Sequence, residues 1–305
     1  MGTPEAAVAS LQRLLQDGHE IAAVWTQPDK PAGRGDKMHS PPVKDFATEH
    51  GLTVEQPQKI KTDQAKQLFQ SYKADVAVVV AYGRILPPEF LRAPRRGCIN
   101  VHFSLLPLYR GAAPANWAIV NGEEKTGVTT MFIEEELDSG PILLQRETLI
   151  GEIETAPELM HRLAREGADL LSETLAQLNV LTPRPQHGQA ATFAPILRKQ
   201  DGLINWSREA ATVERSVRGF QPWPNAYTYY NAHRLIIWKA SAEATALDGL
   251  EGEVVVAHGD DLVVKCADET ALRLIEVQSE AKRRMAVRDF LNGTHLKVGD
   301  RFGEV

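Results

Sequence analysis

Long apolar runs are missing from this chain of 305 residues. A membrane-spanning helix needs about 18 or more uninterrupted apolar residues, and no such stretch occurs. No basic segment followed by an apolar one opens the chain, so we expect no secretion signal. Cysteine is scarce: Cys98 and Cys266 both lie in apolar, strand-like runs, which predicts buried free thiols without a disulfide framework. These absences predict a soluble, cytoplasmic protein.

Common cofactor and metal signatures are missing too. No G-x-G-x-x-G follows a predicted strand, no Walker sequence is present, and there is neither a CxxC pair nor an HExxH helix. The sequence therefore predicts no dinucleotide, no ATP and no metal. A basic excess is also missing, since the formal net charge is −6. Any nucleic acid partner would have to bind a local basic patch.

The first half of the chain alternates apolar runs with amphipathic helical patterns. This alternation is typical of an α/β fold with a doubly wound, mostly parallel sheet. Near-continuous apolar runs predict buried strands, and leucines every three or four residues predict one long helix over Thr155–Leu181. The predicted strands are 21–26, 75–81, 97–102, 128–133 and 142–150, and the other predicted helices are 5–16, 42–50, 63–72 and 114–121.

A change of pattern after residue 181 predicts a domain boundary. Residues 182–192 contain two prolines and a glycine with few apolar residues, which is typical of a linker. Beyond it, short β-branched and aromatic runs predict a small OB-like β-barrel with a helix near 285–291. We therefore predict an α/β domain over 1–181, a linker over 182–198 and a barrel domain over 199–305.

The chain opens on a helix-entry sequence. Thr3 is predicted as the N-cap, with Pro4 at the first helical position. In a doubly wound fold such a turn normally follows the first strand. Either the chain begins with a helix or its natural start lies upstream of Met1. We favour the second, because a missing inner strand would leave backbone groups of its neighbours unpaired.

The segment Asn100-Val101-His102 is the first candidate for chemistry. Residues two apart on a strand point to the same face, so Asn100 and His102 project together. In open α/β sheets, ligands bind beyond the carboxyl ends of the strands, where this run ends. The pair taken alone is more typical of a structural histidine with a hydrogen-bonding neighbour.

Two further segments change that interpretation. Residues 104–114 (SLLPLYRGAAP) form a stiff loop that is too apolar to be merely solvated, although a packed crossover stays open. Leu137-Asp138-Ser139-Gly140 lies between two predicted strands, and Gly140 allows a tight turn with Asp138 at its mouth. Asp138 alone would be an ordinary turn residue. With Asn100 and His102 it completes a set suited to acyl transfer.

These segments resemble the methionyl-tRNA formyltransferase family over essentially the whole chain. The block at 100–114 with the later Asp138 resembles the wider group of enzymes that use 10-formyltetrahydrofolate. The PAGRG loop and the C-terminal region narrow the resemblance to the tRNA enzymes. The chain departs from the family pattern in one respect, since the usual first strand before Gly2 is absent. The matching blocks are GTPE (2–5), TQPDKPAGRG (26–35), NVHFSLLPLYRGAAP (100–114), LDSG (137–140) and, more weakly, GFQPW (219–223).

The resemblance implies that 10-formyltetrahydrofolate gives its formyl group to the α-amine of methionyl-initiator tRNA. Asn100 and a protonated His102 would donate hydrogen bonds to the oxyanion of the tetrahedral intermediate. Asp138 would orient the imidazole and accept protons that leave the amine. The folate site would include four consecutive residues of the loop: Ser104, Leu105, Leu106 and Pro107.

Basic residues supply the predicted RNA contacts. The resemblance places the loop 29–37 (DKPAGRGDK) at the acceptor stem, with Arg34 as the main contact beside Lys30 and Lys37. By composition alone this loop would be a mobile, charged surface loop. Lys282-Arg283-Arg284 is a second basic cluster, equally consistent with an RNA contact and with a solvated helix face. We expect a monomer.

Three alternatives stay open at the level of sequence. The chain could formylate another amine, such as a nucleotide sugar or glycinamide ribonucleotide, or it could hydrolyse the formyl carrier. It could also be a non-catalytic tRNA-binding protein. The PAGRG loop and the barrel argue against the first two. The complete set Asn100, His102 and Asp138 argues against the third, since a binding protein has no chemical need for it.

Overall fold

The computed structural model describes residues 1–32, 37–244 and 248–303. Its contacts divide the chain into two compact units, which we call unit one and unit two. Unit one comprises 1–114, 125–149 and 160–195, whereas unit two comprises 115–124, 150–159 and 196–305. Two short segments, 115–124 and 150–159, therefore group with the C-terminal residues.

Within the described residues, the helices and strands follow the α/β order expected for the first half and the β-rich order expected for the second. The helices are α1 Glu5–Gln16, α2 Pro42–Glu49, α3 Asp63–Ser71, α4 Pro88–Arg92, α5 Pro114–Val120, α6 Ala156–Gln177, α7 Ala210–Gly219 and α8 Val287–Asn292. The strands are β1 Val24–Trp25, β2 Lys30–Ala32, β3 Lys37–His39, β4 Val54–Glu55, β5 Ala77–Val79, β6 Cys98–His102, β7 Arg110–Gly111, β8 Lys125–Phe132, β9 Ile142–Leu149, β10 Phe193–Ala194, β11 Ala226–Tyr230, β12 His233–Ala244, β13 Val254–His258, β14 Asp261–Lys265, β15 Thr270–Ser279 and β16 Met285–Ala286.

The main sheet of unit one has the strand order β5-β6-β8-β9. The pair β5/β6 is parallel, whereas β6/β8 and β8/β9 are antiparallel. A second parallel pair joins β1 to β4. The α/β fold class is therefore confirmed, with a sheet that mixes both directions. Helix α6 packs on one face of it, where Gly167 lies against Val101 and Val128.

Met1 and Gly2 lie between β1 and β5. The Gly2 N–H donates to the Trp25 carbonyl, and Gly2 forms an isolated parallel bridge with Val80. The Met1 amine donates to the Val78 carbonyl at 2.7 Å. These bonds join the two parallel pairs through the first two residues of the chain. Farther along, a cavity of about 470 Å³ lies between residues of β1 and β5.

Unit two is built on a six-stranded antiparallel sheet. Its order is β11-β12-β15-β14-β13, and β16 pairs with the far end of β15. The core includes Ile237, Leu262, Leu272 and Leu274, which are fully buried, with α7 and α8 contributing Val213 and Phe290. This arrangement is consistent with the predicted β-rich domain.

Most predicted elements agree with the structure to within a few residues, but the helix entry was wrong. Helix α1 begins at Glu5, Pro4 is its N-cap, and no side chain caps it. The Thr3 hydroxyl instead donates to the Tyr82 carbonyl at 3.0 Å, because the neighbouring turn offers that acceptor. The helix predicted near 285–291 begins later, at Val287, since Met285 and Ala286 extend the sheet.

Both cysteine thiols are buried and free. Burial raises the pKa of each thiol to about 12, so neither thiolate forms readily at neutral pH. This agrees with the inert thiols predicted from the sequence. In the described part of the chain, no helix is both long and apolar enough to cross a bilayer.

Candidate active site

The two predicted hydrogen-bond donors, Asn100 and His102, lie on strand β6 and point to one face of the sheet. Val101 packs toward α6, so Asn100 and His102 project from the opposite face. Their partners across β8 are Met131 and Thr129, respectively. Because β6 ends at His102, the pair lies at the carboxyl edge that the sequence predicted.

His102 is almost enclosed, with only 5% of its surface exposed. Its Nε2 lies 2.9 Å from the Tyr109 carbonyl, and its Nδ1 lies 3.8 Å from Oδ2 of Asp138. Two acceptors thus face the two ring nitrogens, so a ring that carries both protons can donate toward both. The 3.8 Å separation between Nδ1 and Oδ2 is longer than a hydrogen bond, so a small shift of either side chain would be needed to form one.

Asp138 is held in place by the backbone around it. Its Oδ2 accepts from the Gly111 N–H at 2.8 Å, and its φ of 50° lies in the left-handed region. Gly140 completes the turn, since a Cβ there would stand 2.0 Å from the Phe132 carbonyl oxygen. The structure therefore brings Asp138 beside His102, 36 positions after it in the chain.

The Asn100 amide is half-buried and has no hydrogen-bond partner among the described residues. The other polar groups of this face are already engaged. Thr129 donates to the Ser104 carbonyl at 2.7 Å, and Gln145 donates to Thr129 and to the Leu106 carbonyl. Asn100 is thus the side chain of this set that remains available for a ligand.

The four predicted folate residues divide into two kinds. Ser104 is fully buried, and its hydroxyl donates to the Leu108 carbonyl at 2.6 Å, while Leu106 is 3% exposed. Leu105 and Pro107 are half-buried and can present apolar surface. Ser104 and Leu106 therefore shape the loop from within, and any ligand would meet Leu105, Pro107 and the backbone.

The predicted linker contributes residues that sequence reasoning missed. Gln186 donates to the carbonyls of Asp138 and Gly140 and accepts from the buried Arg110 guanidinium. Thr192 accepts from the Tyr109 N–H, and β10 pairs in parallel with β7. The segment 182–195 therefore belongs to unit one and is joined to it by these contacts, although most of its residues are exposed. No sequence signal marked Gln186, because its partners lie between 46 and 76 positions away.

The predicted RNA contacts are placed only in part. Arg34 lies outside the described residues, and of Lys37 only the backbone, in β3, is described. Lys30 is exposed, and its ammonium donates to Gln27 at 2.7 Å. Asp29, at the base of this loop, binds Lys44 and Gln56, and these bonds hold the pKa of its carboxyl below the ordinary value.

The second basic cluster lies in a turn before β16, not on a helix. Lys282 and Arg283 are exposed. Arg284 pairs with Glu276 and stands over the Trp238 ring, 5.1 Å from its centroid. Its charge is therefore partly compensated, which leaves Lys282 and Arg283 as the more available cations.

Family models match both halves of the chain. A model described as formyl transferase matches residues 1–175, and one described as formyl transferase, C-terminal domain, matches 196–295. The chain is 44% identical to a methionyl-tRNA formyltransferase of Alkaliphilus oremlandii, across 100% of this chain and 98% of that protein. It is 46% identical to one of Caldanaerobacter subterraneus, across 98% and 97%.

Solved structures share the fold at lower identity. An N-formyltransferase from Helicobacter canadensis, in complex with folinic acid and dTDP-3-aminofucose, superposes with a TM-score of 0.66 at 17% identity, covering 92% of this chain and 97% of that one. HypX from Aquifex aeolicus, in complex with tetrahydrofolic acid, has a TM-score of 0.59 at 20% identity, covering 80% and 43%. At such identities the likeness shows the fold alone.

Proposed function

The chain belongs to the methionyl-tRNA formyltransferase family, and from that premise we propose how it transfers a formyl group to methionyl-initiator tRNA. The donor is 10-formyltetrahydrofolate, which carries the formyl carbon on N10. The methionyl α-amine attacks this carbon and forms a new C–N bond. The C–N10 bond then breaks, the amine loses a proton and N10 gains one. We propose that the enzyme works as a monomer in the cytoplasm and needs no metal.

The free Asn100 amide is the observation that carries the assignment of roles. An amide N–H at a strand end, with no partner in the described part of the chain, can donate to the formyl oxygen as it becomes an oxyanion. One such donor contributes roughly 3–4 kcal/mol to barrier lowering in comparable sites. A protonated His102 on the same face adds a positive charge near the developing negative one.

Asp138 has two tasks in this proposal. Its Oδ2 faces the His102 ring at 3.8 Å and accepts from the Gly111 N–H, which holds the carboxylate beside the ring. Its Oδ1 has no hydrogen bond among the described residues, so it can accept the proton that leaves the attacking amine, directly or through water. The amine needs no stronger base, because α-amino groups titrate near pH ~8.

Folate would bind at the carboxyl edge that β5 and β6 share. Leu105, Pro107 and the exposed Leu108 offer apolar surface there. After β5, Ile85 is 73% exposed although it is a large apolar residue. Surface of this kind suits a flat aromatic ring system, and the backbone groups of both segments can supply polar contacts. The described residues are consistent with a folate site.

Arg34, Lys30 and Lys37 remain our proposed contacts to the acceptor stem. The bonds from Asp29 to Lys44 and Gln56 support this, since they anchor the base of the loop on unit one. Arginine and lysine side chains bind phosphates in an electrostatic, salt-dependent manner. For a protein with a net charge of −6, such contacts have to be local.

The direct test is a formylation assay with competing acceptors. The purified protein and 10-formyltetrahydrofolate are incubated with initiator Met-tRNA, elongator Met-tRNA, an aminodeoxy nucleotide sugar or glycinamide ribonucleotide. We expect rapid formylation of initiator Met-tRNA only. Formate release that does not depend on an acceptor would indicate a hydrolase instead. Activity confined to the sugar or the ribonucleotide would contradict the proposal.

A further inference from the structure

Gln186 lies where the chain between α6 and unit two crosses the candidate active site. Its side chain is half-buried and contacts both segments that hold Asp138. Resting on the proposed function, we propose that Gln186 is a positioning residue, which fixes the Asp138 carboxylate for catalysis. It does not touch the reacting atoms and acts through the turn that carries Asp138.

The amide nitrogen of Gln186 holds the turn from one side. It donates to the Asp138 carbonyl at 2.9 Å and to the Gly140 carbonyl at 2.8 Å. Two N–H groups thus bind two carbonyls that flank Ser139. External support matters here, because Asp138 adopts a left-handed φ of 50°, which costs a non-glycine residue on the order of 1 kcal/mol.

The amide oxygen of Gln186 holds Arg110. It accepts from Nε at 3.1 Å and from Nη2 at 2.8 Å. Arg110 is 5% exposed, and the carboxylate of Glu136 stands 4.0 Å from its Nη1. A nearly buried guanidinium needs its hydrogen bonds, so this contact fixes Gln186 and the strand β7 together.

These contacts form a closed ring around the catalytic carboxylate. Gln186 bonds Arg110, Arg110 precedes Gly111, Gly111 donates to Oδ2 of Asp138, and the Asp138 carbonyl accepts from Gln186. This closed set of hydrogen bonds leaves the Asp138 side chain little freedom to move relative to His102. A displacement of about 1 Å at a catalytic group can lower a rate by about 100-fold. Gln186 therefore controls the rate without binding either substrate.

Three variants separate positioning from simple stability. Gln186→Met has a similar length and removes every hydrogen bond of the amide. Gln186→Glu keeps an acceptor toward Arg110 but sets a carboxylate oxygen against the carbonyls of Asp138 and Gly140. The matched control is Gln189→Met, since Gln189 is exposed on the same segment.

We expect both Gln186 variants to lower kcat at least about tenfold, with KM for Met-tRNA and for 10-formyltetrahydrofolate within about twofold of wild type. The Gln189 control should behave like wild type. The thermal melting curve of each protein shows whether it is fully folded at the temperature of the kinetic assay. Gln186→Glu should melt closer to wild type than Gln186→Met, because Arg110 keeps a partner.

The inference is overturned if kcat is unchanged in both Gln186 variants while wild type is active. It is also overturned if the loss of kcat only follows a loss of folded protein, or if KM changes and kcat does not. A wild-type protein that fails to formylate Met-tRNA would contradict the proposed function instead, so the two failures are distinguishable.

Discussion

At the scale of residues, His102 and Asn100 have different surroundings although they share one strand face. His102 is enclosed, with a carbonyl facing one ring nitrogen and a carboxylate facing the other. Asn100 is half-buried and has no hydrogen-bond partner among the residues that the structure describes. The Asn100 amide is therefore the more accessible donor, and in our proposal a protonated His102 would supply positive charge from beside it.

Replacing His102 tests whether its ring has the proposed role beside Asn100. His102→Gln keeps an N–H donor but removes the ring charge, whereas His102→Ala removes both. We expect kcat to fall by about 100-fold or more in each variant, because one preorganised donor contributes on that order. Folate binding, measured by fluorescence titration, should be largely kept. An unchanged rate in properly folded protein would remove His102 from the mechanism.

At the scale of elements, the site face of the sheet depends on how α6 packs on the other face. Gly167 in α6 approaches Val101, the residue between Asn100 and His102, so closely that an added Cβ would lie 2.8 Å from a Val101 methyl carbon. It would also lie 3.3 Å from Val128. Helix and sheet are therefore in direct contact behind the two donors.

Gly167→Ala should destabilise the protein by about 1 kcal/mol. Alanine favours helix by roughly 0.5–1 kcal/mol, but overpacking a dense core costs about 1–3 kcal/mol. We expect a lower midpoint in urea unfolding, and the loss in the double variant Gly167→Ala, Val101→Ala should be smaller than the sum of the two single losses. A midpoint equal to or above that of wild type would show that α6 can move away without strain.

At the scale of the whole molecule, charge and burial are unevenly distributed. The net charge is −6, yet the proposed partner is RNA, so attraction has to come from local groups. One ionisable group lies within the fold instead. The Met1 amine donates to the Val78 carbonyl, and burial lowers its pKa from 8.0 to about 6.

Stability should therefore depend on pH between about 6 and 8 in protein that retains Met1, as checked by intact mass. Burial disfavours the charged amine, so folding loses stability as pH falls from 8 to 6. A shift of two pKa units corresponds to about 3 kcal/mol, taken as an order of magnitude. Urea unfolding of unmodified and N-acetylated protein measures this. A pH dependence equal in both preparations would contradict it.

Local patterns in the sequence were enough for much of this molecule. Apolar periodicity predicted most helices and strands, because burial on one face repeats at 3.6 or 2 residues. Strand alternation placed Asn100 and His102 on one face at a strand end. Asp138 was chosen as the carboxylate that completes their set and by the family resemblance, since turn chemistry alone would have left it an ordinary turn residue. The structure then placed Asp138 3.8 Å from the His102 ring.

Only the tertiary structure showed which groups hold that site together. Gln186 and Thr192 lie in a segment whose prolines and glycine predicted a linker, yet they bind the turn and loop of the candidate active site. The helix-entry interpretation of Thr3 failed for a similar reason, since a carbonyl 79 positions away competes for its hydroxyl. Local propensity depends on neighbours in sequence, whereas these hydrogen bonds depend on groups that meet only after the chain has folded.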